Sequence, residues 1–458
     1  MEASTIMNSG PVTVTKSPPI LVQPESATPD GFYFLSSLDQ AIPITMQAIY
    51  CYERSGDDVG DMLKKALAKV LVHYYPLAGK LATTPEDKLA VACTKGGATL
   101  VEAIATCGID ALGDVRVPDP DISRKLVYTD PSMTDLFEVP LLTAQVTKFQ
   151  CGGFTLGIAM SHCVTDGAGA MAFINSWAQT ARGVPITIVP FHDRSILKPR
   201  VPPQIKYPYE DFVVISDVSD MATLFERQPM TYQAFHFDSD KLAALKRMAM
   251  SEDGLTSCTS FTALAAHVWR ARSQALNMKP HQLTKLRIMA DFRSKFETTA
   301  LPEGYFGNAV TTVGCLCTAG DLAEKPISFA VEQIKNAVES VTEDYVLSRI
   351  DYEDVYKPQL TSVGTLVISS WTRLAFGAAN FGWGGPAQFG SGSLVEELGL
   401  FMPEGEGKKG IVVVLGLPTS AMNSSGRSSK VASTKILCRS SCLFHITTST
   451  VGLITCTN

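Results

Sequence analysis

The chain has 458 residues, 45% of them hydrophobic and 18% charged, with a formal net charge of -6. A single core stops growing beyond roughly 250 to 300 residues, so two domains are expected, and the apolar content excludes a disordered chain. The acidic balance, with no run of lysine and arginine interleaved with aromatics, excludes a surface built for nucleic acid.

Residues 1–24 carry Ser, Thr, Pro and Val without the apolar core of a signal peptide. No apolar run reaches the roughly 18 residues of a membrane span, so a cytoplasmic location is expected. Residues 45–52 read as a strand. Met62, Leu63, Ala66, Leu67 and Val70 recur at helical spacing across residues 58–74, and Tyr75-Pro76-Leu77-Ala78-Gly79 stops that helix. Strands are predicted at 89–94, 99–103 and 142–149. Residues 153–160 are apolar on both faces, as in a buried strand, and residues 168–182 place Met171, Phe173, Ile174 and Trp177 on one helical face. A polar, proline-rich stretch at 190–209 breaks the alternation and reads as an interdomain crossover. Beyond it the pattern predicts a strand at 232–237, helices at 239–250 and 257–276, a buried strand at 287–290, a helix at 327–341, and strands at 366–370 and 411–416. Thr259-Ser260-Phe261-Thr262 supplies the N-cap region of the second of these helices.

The eleven cysteines are scattered without a Cys-x-x-Cys pair, so reduced thiols are expected and no metal site is implied. Between the buried strand and the helix after it lies Ser161-His162-Cys163-Val164-Thr165-Asp166-Gly167-Ala168-Gly169-Ala170. A histidine at such a junction can face a cleft, and an imidazole near its reference pKa of about 6.5 can accept a proton from a hydroxyl. Gly167 and Ala168 allow close backbone approach beside it. A His-x-x-x-Asp spacing by itself is equally compatible with a structural histidine. A Cys163–His162 dyad would need both side chains to meet, whereas adjacent residues at a strand end point opposite ways.

Four motifs occur in order: His73-Tyr74-Tyr75-Pro76-Leu77-Ala78-Gly79, the His162/Asp166 element, Tyr305-Phe306-Gly307-Asn308, and Asn380-Phe381-Gly382-Trp383-Gly384. Together they resemble the plant BAHD acyltransferases, from about residue 12 to 422. The likeness is greatest to the branch that esterifies omega-hydroxy fatty acids and fatty alcohols, through Ala181-Arg182-Gly183, Asp193-Arg194-Ser195-Ile196-Leu197 and Trp371-Thr372-Arg373-Leu374-Ala375-Phe376. The resemblance implies an α/β fold of two chloramphenicol-acetyltransferase-like domains with a solvent tunnel between them. The boundaries expected are 1–195 for the domain carrying the His162 motif, 196–225 for the crossover linker and 226–422 for the second domain. Residues 423–458 form an atypical tail with no acidic residue and three cysteines.

The implied activity is transfer of a feruloyl or caffeoyl group from a coenzyme A thioester to an alcohol by a monomer, with acyl-CoA as co-substrate and no bound cofactor. His162 would be the general base, and Ser369 and Trp371 the donors to the oxyanion. Asp166 would turn away from the reaction, pair with Arg293 and, with Gly167, shape the loop. Phe381, Gly382, Trp383 and Gly384 would form a tight turn keeping the coenzyme channel open. Asn380 departs from the family, which usually has aspartate there, and so loses a charge while keeping a hydrogen-bonding shape. Shikimate-using relatives carry an arginine fifteen residues before the tryptophan matching Trp371. Counted back without gaps that position is Tyr356, which argues for a long-chain acceptor over a polar one, whereas a one-residue gap would put Lys357 there and reverse the reading. The competing expectations are transfer to shikimate, quinate or another small polar acceptor, and a catalytically silent homologue that binds acyl-CoA.

Overall fold

The computed structural model describes residues 12–133, 135–250, 255–297, 300–405 and 407–424, and the tail expected at 423–458 lies almost wholly outside them. Two large mixed sheets organise the chain. The first orders β1 (Val14–Lys16), β7 (Ala98–Ala105), β8 (Leu142–Lys148), β9 (Phe154–Ser161), β4 (Thr45–Tyr52) and β14 (Gln388–Ser391), with β2 (Ile20–Val22) also paired to β7. The second orders β10 (Met230–Phe237), β16 (Ile411–Pro418), β15 (Leu398–Pro403), β13 (Thr365–Ser370), β11 (Leu283–Asp291) and β12 (Val310–Thr318). A small sheet of β3 (Gly31–Phe34), β6 (Leu89–Cys93) and β5 (Lys80–Thr83) shares the core of the first.

Because β7 and β8 run parallel, the chain must cross back over the sheet between them, and the helix Pro120–Leu126 lies on that return. Its Leu126 carbonyl comes so near Gly157 of β9 that a Cβ there would overlap it, so the middle of the strand has room only for glycine. The helices Val59–His73 and Gly167–Ala181 bring Leu63, Leu67, Val70, Met171, Phe173 and Trp177 into one core with Tyr50, Leu156 and Ile158 of the sheet. On the other face Ile49, Cys51 and Ala159 meet Leu126 and Val127. With both faces covered, all eight residues of β9 are buried, which explains its unbroken apolar sequence.

In the second body the helices Ser260–Ala275 and Ile327–Glu339 lay Leu264, Val268, Trp269, Val331 and Ile334 against Leu286, Ile288, Leu366 and Val413. Each such side chain contributes roughly 1.5–3 kcal/mol on burial. The Thr259 hydroxyl accepts the Thr262 N–H in a capping box, as that tetrapeptide suggests. The helix Glu343–Tyr356 escapes the periodicity reading because it buries polar residues, Ser348, Arg349 and Asp351, beside Val346 and Ile350. β14 escapes it for another reason: four residues pair with β4 through backbone bonds, carrying a strand from late in the chain into the first sheet. The crossover after residue 190 is pinned as well. Phe191 bridges to Tyr305, Arg200 Nε donates to Asp351 at 2.8 Å, and Lys206 reaches Asp344 at 2.7 Å.

Candidate active site

His162 directly follows β9. Its backbone N–H donates to the Ile44 carbonyl at 2.8 Å, prolonging the β4–β9 ladder one residue past the Ser161–Thr45 pair. Four residues later Asp166 caps the helix Gly167–Ala181, its Oδ1 accepting the Gly169 N–H at 3.0 Å. The connection is tight: Val164 N–H donates to Ser161 O at 3.2 Å, and a Cβ on Gly169 would overlap the Thr165 hydroxyl. The His162 backbone is thereby held at the junction of strand and helix.

Burial pushes the His162 imidazole below its ordinary pKa, against opposing pulls from its own carbonyl, Asp166, the Asn308 side chain and Asp39. At neutral pH it is an uncharged base. Cys163 has the opposite fate. It is fully buried, its Sγ faces the Ile42 carbonyl at 3.5 Å, and burial pushes the thiol up to about 11, so no thiolate forms at neutral pH.

Asp166 is 2% exposed and turned into the protein. Besides the cap, its Oδ1 accepts from Arg293 Nη2 at 2.9 Å and its Oδ2 from the Ala309 N–H at 2.9 Å. Arg293 also bonds Asp291 at 3.1 Å and the Gly307 carbonyl at 3.3 Å. A residue of the first sheet's connection and one from the end of β11 are thus joined by an ion pair beside His162.

Three further residues complete the surroundings of the loop and were not read as site residues from the sequence: Asp39, Arg194 and Asn308. Asp39 is fully buried and accepts through Oδ1 from the Asn308 N–H (2.9 Å) and Nδ2 (2.8 Å). Its Oδ2 accepts from Ser36 N–H (2.7 Å), Ser36 Oγ (2.6 Å) and Arg194 Nη1 (2.8 Å). Arg194, itself 1% exposed, extends Nη2 to the carbonyls of Val164 and Phe306 and stacks over Tyr33, 4.7 Å from the ring centre. Asn308 Nδ2 donates to the His162 carbonyl at 2.7 Å. The carbonyls at 162 and 164 are therefore both gripped by groups that converge on one carboxylate. A signal was available: Asp39 is the one charge between Asp30 and Glu53, in a stretch otherwise uncharged and rich in apolar residues.

Ser369 lies in β13 opposite Leu400, and Trp371 follows the strand, donating its N–H to the Phe401 carbonyl at 2.7 Å. The Trp371 ring lies 5.5 Å from Phe376, which stacks on Phe389 at 3.9 Å and sits 6.1 Å from Tyr50. Leu374 N–H donates to Trp371 O at 3.1 Å, and a Cβ on Gly167 would stand 3.2 Å from Leu374 Cδ1. The segment after β13 thus rests on the first turn of the helix that follows His162, and its lining is apolar and aromatic. Tyr356 stands 62% exposed at the end of its helix, its ring tilted against that of Tyr352 with centroids 4.9 Å apart.

The Asn380-to-Gly384 element sits elsewhere. Phe381 packs edge-on against Tyr52 (5.9 Å) and Trp177 (5.6 Å), and Trp383 against Phe154 (5.6 Å). Tyr52 and Phe154 pair at the end of the β4–β9 ladder opposite to Thr45 and Ser161, roughly 25 Å of strand away from His162. Asn380 Oδ1 accepts from the N–H groups of Gly382 (2.8 Å) and Gly384 (3.0 Å), whose φ angles of 120° and 93° favour glycine. Asparagine performs this turn-closing role without the missing charge.

Among the described residues no helix is long and apolar enough to cross a membrane. The chain matches the transferase family over residues 11–428. It is 48% identical to omega-hydroxypalmitate O-feruloyl transferase of Arabidopsis thaliana, covering 90% of this chain and 91% of that protein. It is 43% identical to the fatty alcohol:caffeoyl-CoA acyltransferase of Arabidopsis thaliana, over 89% of this chain and 96% of the relative. The crystal structure of vinorine synthase superposes with a TM-score of 0.71 at 23% identity, over 90% and 96% of the two chains, and shares the fold.

Proposed function

The chain belongs to this transferase family, the BAHD acyltransferases, and we propose that it transfers a feruloyl or caffeoyl group from a coenzyme A thioester to the hydroxyl of an omega-hydroxy fatty acid or fatty alcohol. The observation that carries the chemistry is the half-buried imidazole of His162 at the strand–helix junction, beside the Asp166–Arg293 ion pair that joins the two sheet-bearing bodies, with its pKa lowered by burial. The acceptor hydroxyl gives its proton to His162 as its oxygen forms a bond to the thioester carbonyl carbon, whose π electrons move to oxygen. Ser369 and the Trp371 indole donate to that oxyanion. Collapse re-forms the carbonyl and breaks the C–S bond. The imidazolium returns its proton to the departing thiolate, giving ester and free coenzyme A. No acyl-enzyme is needed, in keeping with the protonated, buried Cys163.

Residues 1–195 and 226–422 act as two halves of one tunnel in a cytoplasmic monomer, joined by residues 196–225, with donor and acceptor entering from opposite faces. The apolar group of Tyr50, Trp371, Leu374, Phe376 and Phe389 supports an alkyl acceptor over a polar one. No resident cofactor or metal is required by these steps, and acyl-CoA is consumed as a substrate. The test is thiol release from feruloyl-, caffeoyl- and p-coumaroyl-CoA against 16-hydroxypalmitate, hexadecanol and shikimate. Turnover with the long-chain acceptors is expected, and turnover confined to shikimate would overturn the acceptor assignment.

A further inference from the structure

Two fully buried polar atoms at the centre of the site make no well-formed hydrogen bond among the described residues, Nδ1 of His162 and Oδ1 of Asn308, although the Asn308 side chain and the His162 carbonyl both lie close enough to the imidazole to act on it. They belong to neighbouring groups, because Asn308 Nδ2 donates to the His162 carbonyl at 2.7 Å. The amide cannot be turned the other way round. Nδ2 already serves two acceptors, that carbonyl and Asp39 Oδ1 at 2.8 Å, while the Asn308 backbone N–H is held by the same carboxylate oxygen at 2.9 Å. A flipped amide would set its oxygen against a carbonyl and a carboxylate, with like partial charges facing in a site where Asn308 is 0% exposed. The amide oxygen is therefore the Asn308 side-chain atom left without a partner, and the Asn308 side chain acts on the imidazole.

An uncharged imidazole carries one N–H, and the nitrogen bearing it is chosen by the acceptor that the other groups supply. We propose that Asn308 is the positioning residue of His162: Oδ1 accepts the proton on Nδ1, fixing the tautomer in which Nε2 holds the lone pair, and Asp39 with Arg194 fixes Asn308 and the loop. The proposal rests on His162 being the base. It assigns to Asn308 the third place in the relay that an oriented base requires, a hydrogen-bonded group that sets the ring rather than touching substrate. Asp166 does not fill that place, since its oxygens accept from Gly169, Ala309 and Arg293. Arg194 contributes from the other side of Asp39. Its grip on the Val164 carbonyl holds the chain two residues past the imidazole, so that one carboxylate sets the position of both ends of the His162 turn.

The direct test is nitrogen NMR on the full-length protein with labelled histidine, the His162 signals being assigned among seven histidines by loss in His162→Gln. At a pH where the ring is uncharged, His162 is expected to carry its proton on Nδ1, and a proton on Nε2 overturns the proposal. This measurement needs no folded variant of Asn308. In kinetics, Asn308→Ala is expected to lower kcat on the order of 100-fold while the KM for acyl-CoA stays within about twofold, and to mix the two tautomers. Wild-type kcat, or an unchanged tautomer in that variant, also overturns it. The underlying reading fails separately: if His162→Ala retains turnover, His162 is not the base, and the NMR result still decides whether Asn308 sets its tautomer.

Discussion

Replacing Asp166 by alanine should cost stability first and activity second. The carboxylate makes three bonds: the helix cap to Gly169, the bond from the Ala309 N–H and the ion pair with Arg293. Loss of an N-cap costs roughly 1 kcal/mol, and stranding a buried N–H such as that of Ala309 costs roughly 1–3 kcal/mol. Arg293 is only partly stranded, because its side chain is 25% exposed and keeps Asp291 at 3.1 Å. A total of about 3–5 kcal/mol is expected, in the range for breaking a buried pair from one side. Urea unfolding monitored by fluorescence measures it, with thiol release recorded at a temperature where the variant stays folded. Asp166→Asn keeps one acceptor oxygen and should lose about half as much stability while retaining activity within about tenfold. A variant at 166 with unchanged stability and activity as low as His162→Ala would refute the reasoning and make Asp166 a participant in proton transfer.

The acidic limb of kcat/KM should fall below pH 6.5, since burial lowers the His162 pKa and the free base persists into mild acid; a limb above 6.5 contradicts the burial argument. Cys163→Ala should keep wild-type turnover, and the wild-type enzyme should resist iodoacetamide at that position, because a thiol raised to about 11 offers almost no thiolate at neutral pH. Asn380→Asp retains the oxygen that accepts both turn-closing N–H groups and adds a charge to a turn whose Gly382 lies beside Arg182, whose Cγ would be 3.9 Å from a Cβ there, so it should stabilise by up to about 1 kcal/mol, whereas Asn380→Ala should cost about 1–2 kcal/mol by thermal unfolding. His267, 7% exposed and edge-on to Phe237, has its pKa lowered to about 4 by burial. The folded state therefore binds fewer protons than the unfolded one below about pH 6.5. Stability should be complete above that pH and fall as pH drops towards 4, by up to about 3 kcal/mol, and His267→Leu should flatten the dependence in urea midpoints taken at pH 7 and 5.

The central strand and helix were legible because burial on both faces leaves a plain mark: β9 reads as continuous apolar sequence, and the following helix shows its inward stripe from Met171 to Trp177. The position of His162 between them follows from that pattern alone. What it lies against does not. Asp39, Arg194 and Asn308 come from three distant stretches and meet only through buried hydrogen bonds, which leave no periodicity in a sequence. Asn308 was visible within Tyr305-Phe306-Gly307-Asn308, but its contact with His162 depends on the register in which β12 begins. The helix Glu343–Tyr356 hid for a related reason, since burying Arg349 beside Asp211, at 2.8 Å, removes the apolar stripe that would have announced its inner face.

The central claim is that His162 is the base for acyl transfer to a long-chain hydroxyl. The measurement that tests it most directly compares wild type and His162→Ala, both folded by circular dichroism, in thiol release from feruloyl-CoA with 16-hydroxypalmitate, alongside equilibrium binding of coenzyme A. The account predicts that kcat falls by about 100-fold to 10,000-fold while coenzyme A binding is preserved. Turnover within a few-fold of wild type in the alanine variant would contradict it.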